Sequence, residues 1–218
     1  MNSMNSTFGW HNVDRKLIAI LRGIKPEETA DIVANLIGAG FQAIEIPLNS
    51  PDPFRSIKIA AQTAQRLLNG QCLIGAGTVL TEAEALRVKN CGGSLVVSPN
   101  ANPAVIAASV AAGLTSMPGV FTATEAHNAL AAGATALKFF PASILGADGI
   151  KAIKTILPSD TQVCAVGGIG PDDFAAYMAA GVGGFGMGSS LYKPGDSADT
   201  VKAKAEATVV AYDAALGR

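Results

Sequence analysis

Three charged side chains interrupt segments that are otherwise apolar. Arg22 closes the run Leu17-Ile18-Ala19-Ile20-Leu21-Arg22, Glu45 sits within Ala43-Ile44-Glu45-Ile46-Pro47, and Lys138 sits within Ala136-Leu137-Lys138-Phe139-Phe140. Side chains alternate along a strand, so Ile44 and Ile46 face one side and Glu45 the other, and Leu137 and Phe139 flank Lys138 in the same way. An unpaired buried charge costs several kcal/mol, roughly, and calls for an explanation. One explanation is a Lys138–Glu45 ion pair that only joins two strands. The other is chemistry. Desolvation and a nearby cation such as Arg22 lower a lysine pKa, which leaves a neutral amine able to attack a ketone. Imine formation also needs a proton shuttle to expel water, and Glu45 is the available carboxylate. His11 precedes the first strand and His127 falls inside a helix, where surface or packing roles are expected.

Two glycine-rich turns follow the last two apolar segments: Ala165-Val166-Gly167-Gly168-Ile169-Gly170-Pro171 and Gly186-Met187-Gly188-Ser189-Ser190. Glycine lets backbone N–H groups close on an anion. Each turn alone is compatible with an ordinary chain reversal. Placed after strands seven and eight of a barrel, the pair favours a phosphate.

The elements that must position these residues repeat. Apolar segments begin near Leu17, Ala43, Cys72, Leu95, Thr115, Ala136, Gln162 and Gly184, at intervals of 20 to 29 residues. That interval suits one strand, one helix and two short loops. Helix starts are marked by Pro26-Glu27-Glu28 and Pro171-Asp172-Asp173, and by capping boxes at Thr81–Glu84 and Thr122–Glu125. Gly40, Gly92, Gly113, Gly133 and Gly181 fall near helix ends. Strand then helix, eight times without a break in composition, predicts an α/β fold, a (β/α)8 TIM barrel forming one domain over residues 1–218. Residues 1–14 are expected to form an N-terminal extension, with a short helix over the bottom of the barrel. An open doubly wound sheet is the alternative, although no G-x-G-x-x-G follows the first strand.

Hydrophobic residues make up 49% of the 218 and charged residues 15%, with a net charge of −1. No apolar run approaches the ~18 residues of a membrane span, and no basic stripe marks a nucleic-acid partner. The N-terminal segment does not read as a signal peptide, which leads to a cytoplasmic expectation. Cys72, Cys91 and Cys164 are odd in number and lack metal-ligand spacing, so buried reduced thiols are expected.

The chain resembles the family of 2-keto-3-deoxy-6-phosphogluconate and 2-keto-3-deoxy-6-phosphogalactonate aldolases. The resemblance is carried by Ile18–Gly23, Ile44–Ser50, Gly75–Val79, Ser98–Asn100, Pro118-Gly119, Thr122–Glu125, Leu137–Pro141, Val166–Gly168 and Gly188-Ser189, in the family's order. It implies a class I aldolase that needs no metal or other cofactor and acts on a phosphorylated 2-keto-3-deoxy sugar acid. By resemblance, Lys138 forms the imine and Glu45 is the general acid/base. Arg22 and Thr78 lie by the pyruvyl end of the substrate, and Gly167, Gly168, Gly188 and Ser189 bind its phosphate. A homotrimer is implied on the same basis. Gluconate-type members read Thr-Leu-Arg and Thr-Gly-Gly where this chain has Pro47-Leu48-Asn49 and Val166-Gly167-Gly168. Both departures resemble the galactonate type. The alternatives are a gluconate-type or 4-hydroxy-2-oxoglutarate aldolase, a sugar-phosphate isomerase or epimerase, and a non-catalytic sensor.

Overall fold

The computed structural model describes residues 8–218. Of the expected extension, Met1–Thr7 lie outside the described residues. Strands β1 (Leu17–Ile20), β2 (Ala43–Pro47), β3 (Leu73–Gly77), β4 (Leu95–Val97) and β5 (Thr115–Met117) alternate with helices. After β6 (Gly119–Val120) come β7 (Leu137–Phe139), β8 (Val163–Val166) and β9 (Gly184–Met187). The helices are α1 (Pro26–Ala39), α2 (Pro53–Leu68), α3 (Glu82–Asn90) and α4 (Pro103–Ala111), then α5 (Ala123–Ala131), α6 (Ala142–Lys154), α7 (Phe174–Ala179) and α8 (Ala198–Ala215). All strand pairs are parallel, in the order β5-β4-β3-β2-β1-β9-β8-β7-β6.

The two strands at the ends of that order are neighbours in the chain, separated by Pro118 alone. The sequence predicts one strand from Thr115, and the structure divides it at Pro118. Proline carries no N–H for a ladder. Its carbonyl still accepts from the Lys138 N–H at 2.9 Å. The sheet therefore closes through Pro118 into a (β/α)8 barrel with eight staves.

Strand periodicity divides the core in two. Outward residues such as Ile44, Ile46, Leu137, Phe139 and Phe185 join the layer packed against the helices. Inward residues Ile18, Ala43, Leu73, Leu95, Val97, Met117, Ala136 and Cys164 form a second cluster with Trp10 and Val13. Trp10 belongs to a 3-10 turn, Trp10–Asn12, and is 1% exposed. It fills the lower end of the barrel, where a Cβ at Gly184 would meet its ring at 3.1 Å. Trp10→Ala is expected to lower unfolding free energy by about 3–5 kcal/mol, seen as a lower denaturant midpoint at unchanged m.

Both expected capping boxes form. The Glu84 N–H donates to Thr81 Oγ1 at 3.2 Å and the Thr81 N–H to Glu84 Oε2 at 3.0 Å. The equivalent bonds between Thr122 and Glu125 are 3.3 and 2.9 Å. The Pro171-Asp172-Asp173 start is a 3-10 turn leading into α7 rather than the first turn of the helix. Cys72 and Cys164 are buried free thiols as expected, while Cys91 is only half-buried.

Candidate active site

The eight residues singled out from the sequence all line one cavity of about 560 Å³: Arg22, Glu45, Thr78, Lys138, Gly167, Gly168, Gly188 and Ser189. They stand on or just beyond the C-terminal ends of β1, β2, β3, β7, β8 and β9. In a barrel this is the face where loops converge and side chains from different strands meet. His11 and His127 are exposed and do not belong to the lining.

Lys138 and Glu45 approach the cavity floor from staves on opposite sides of the barrel, and both are buried, at 8% and 2% exposure. Burial lowers the Lys138 pKa from its ordinary value. The Glu45 carboxylate pulls it back up, and the Arg22 guanidinium pushes it further down. Burial likewise pushes the Glu45 carboxyl up to about 7, against the opposing pull of Lys138, Arg22 and the Gly77 amide. The ion-pair explanation fails on geometry. Among the described residues, the salt bridges are Arg15–Asp213, Arg55–Glu27, Lys202–Glu206 and Lys204–Asp196. None includes Lys138 or Glu45, and Glu45 Oε2 is buried with no hydrogen-bond partner. The Lys138 ammonium instead lies 4.6 Å from the Phe140 ring centroid. A buried carboxylate oxygen with no partner is a group waiting for one.

Local backbone makes room for this arrangement. A Cβ at Gly77 would overlap the Glu45 carboxylate, so only glycine leaves that volume open. The next residue, Thr78, holds φ +58, an unfavourable conformation for a β-branched side chain. Such strain concentrates at functional sites, and here it turns the end of β3 toward the cavity. Arg22 is exposed, and its Nη1 donates to Asn49 Oδ1 at 2.6 Å. Asn49 thus ties the guanidinium to the loop after β2, on the Glu45 side.

The glycine turns form the wall that continues from β1 through β9 to β8. Gly167 and Gly168 have φ +95 and +72. A Cβ at Gly167 would press on the Phe140 ring at 3.0 Å. The wall is mainly backbone, together with Gly170, Ser189 and Ser190. The sequence reading missed Lys193, which lines the same cavity. Its only signal was a cation five residues beyond Gly188, outside any apolar strand and therefore inconspicuous.

Fold and cavity together define a (β/α)8 barrel that holds a buried lysine and a buried carboxyl in its mouth. The description "KDPG and KHG aldolase" matches residues 12–207, and the chain belongs to that family, whose members are aldolases and hence carbon–carbon lyases. It is 58% identical over 205 residues to a probable 2-dehydro-3-deoxy-6-phosphogalactonate aldolase of Rhizobium meliloti (strain 1021), covering 94% of this chain and 95% of that one. It is 46% identical over 200 residues to the 2-dehydro-3-deoxy-6-phosphogalactonate aldolase of Escherichia coli (strain K12), covering 92% and 96%. A solved structure described as native KDPGal superposes with a TM-score of 0.89 at 45% identity, over 94% of this chain and 98% of that one.

Proposed function

We propose that the protein cleaves 2-dehydro-3-deoxy-6-phosphogalactonate to pyruvate and glyceraldehyde 3-phosphate through an imine on Lys138. The observation that carries this reading is the pair of buried, oppositely charged groups that share a cavity without pairing. The Lys138 amine attacks the C2 ketone to give a carbinolamine. Loss of water, with Glu45 moving the proton, leaves a protonated imine. Glu45 then takes the proton from the C4 hydroxyl. The C3–C4 bond breaks, its electrons pass into the imine as an enamine, and C4 leaves as the aldehyde. Protonation at C3 and hydrolysis of the imine release pyruvate and restore the amine. No step requires a metal ion. Arg22, anchored by Asn49, attracts the substrate carboxylate. Thr78 positions the pyruvyl end, while Gly167, Gly168, Gly188 and Ser189 receive the phosphate.

Two features support the galactonate epimer over the gluconate one. The relatives at 58% and 46% identity both carry the galactonate name. Val166, 5% exposed on the cavity wall, offers no hydrogen bond near C4 where gluconate-type members have a hydroxyl. Borohydride added with pyruvate is expected to fix a pyruvyl group on Lys138, located by peptide mapping. An unlabelled Lys138 would refute the imine and leave an isomerase or epimerase reading. Initial rates on the two C4 epimers test the substrate, and faster cleavage of the gluconate epimer would reverse that choice.

We also infer a homotrimer in the cytoplasm. The trimer rests on the family resemblance. Three unpaired cysteines among the described residues suit a reducing compartment. None of the helices among the described residues is long and apolar enough to cross a membrane.

A further inference from the structure

We infer that Lys193 is the charged half of the phosphate subsite, a specificity-determining residue held in place by a rigid turn. The inference rests on the proposed phosphorylated substrate.

Three cationic residues line the cavity, Arg22, Lys138 and Lys193. Lys138 lies at the floor. The field of Arg22 falls on both Glu45 and Lys138, and its guanidinium is tied to Asn49, which assigns it to the reacting end. The wall built from Gly167, Gly168, Gly188 and Ser189 contributes backbone amides and a hydroxyl. A phosphate dianion there needs a counter-charge, and among the described residues Lys193 is the remaining cation on the lining.

The turn that presents Lys193 is fixed on both sides. The N–H groups of Leu191 and Tyr192 donate to the Gly188 carbonyl at 2.9 and 3.0 Å. The Tyr192 hydroxyl donates to Glu28 Oε1 at 2.9 Å. The Lys193 N–H donates to Asp196 Oδ2 at 2.9 Å, and the Asp196 N–H returns to the Lys193 carbonyl at 3.0 Å. Asp196, the nearby acid, is already bound by the Lys204 ammonium at 2.7 Å. The Lys193 ammonium makes no salt bridge among the described residues. Pro194 seals the turn against Gly23, where a Cβ would meet Pro194 Cγ at 2.7 Å. The backbone is thus pre-arranged, the competing carboxylate is occupied, and the exposed Lys193 borders the cavity without a salt-bridge partner among the described residues.

Lys193→Met tests this, with Lys193→Arg as the charge-retaining control. Steady-state rates are measured on the phosphorylated sugar acid and on its unphosphorylated counterpart. Lys193→Met is expected to raise KM for the phosphorylated acid roughly tenfold or more, with kcat kept within about twofold. KM for the unphosphorylated acid should be unmoved, competitive inhibition by inorganic phosphate should weaken in parallel, and Lys193→Arg should restore most of the loss. An unchanged KM, or equal losses on both substrates, overturns the inference. Pyruvate trapping by borohydride involves no phosphate and separates the two failures. If Lys138 is labelled in both proteins while KM is unmoved, Lys193 has no such role. If the wild type is not labelled, the aldolase reading itself fails.

Discussion

Lys138→Met is expected to reduce aldol cleavage by at least about 10⁴-fold, because loss of the amine removes an intramolecular reactant whose effective molarity is roughly 10⁵ M or more. Methionine keeps the unbranched bulk against Phe140 and leaves the barrel floor packed. The fold should gain from the change. Burial lowers the Lys138 pKa, so in the relevant range the unfolded chain binds more protons than the native one. Native stability is then reduced below the ordinary lysine pKa of 10.5, and the deficit fades as pH rises to that value. Lys138→Met should therefore melt higher than wild type at pH 7, with the gap closing toward pH 10. Retained turnover in this variant would end the imine mechanism. A lower melting temperature at pH 7 would mean that the lysine serves the fold instead.

Glu45→Gln tests the other half of the pair. General acid–base groups contribute roughly 10²–10⁴-fold, and a loss of that size in kcat is expected. The carboxyl is pushed up to about 7 by burial, and it must be ionised to take the C4 hydroxyl proton. Wild-type kcat/KM should fall on the acid side of about pH 7, and that limb should vanish from the residual activity of Glu45→Gln. The stability consequence has the opposite pH sense to that of the lysine. A carboxyl raised from 4.5 to about 7 makes the native state bind more protons, so native stability falls as pH rises through that window. Glutamine has no such cost. The variant's advantage should open above pH 4.5 and level off near pH 8. A pH-independent difference in unfolding free energy would place the titrating group elsewhere.

Much of this was legible because the chemistry departs from local rules. A charge on an otherwise apolar strand is conspicuous, so Arg22, Glu45 and Lys138 could be picked out without coordinates. The alternation that made them inward-facing also fixed which strand residues pack on helices. Glycine turns after the last two staves were visible for the same reason, since their spacing follows the repeat. What stayed hidden depends on three-dimensional closeness. The division of the fifth stave at Pro118 needs the closure of the ring to be known. Trp10 reads as one aromatic in a polar segment until the inward cluster beneath the site gives it a place. Lys193 follows the last stave in a polar loop, where a lysine is unremarkable until the cavity is seen to include it. The unpaired state of Glu45 is also a distance, and sequence alone left it balanced against a structural ion pair.

The Trp10 plug bears on the sequence of events during turnover. With the ring 1% exposed among the inward side chains beneath the cavity, the described residues fill the lower end of the barrel and leave the mouth as the way in and out. In the proposed mechanism the aldehyde fragment carries the phosphate and lies nearer that mouth than the enamine on Lys138. It must depart before water and a proton donor can release the three-carbon fragment beneath it. In the proposed mechanism the covalent imine already makes the aldehyde the first product out and the keto acid the first to load in synthesis, and the filled barrel floor adds that both fragments must use one passage in turn.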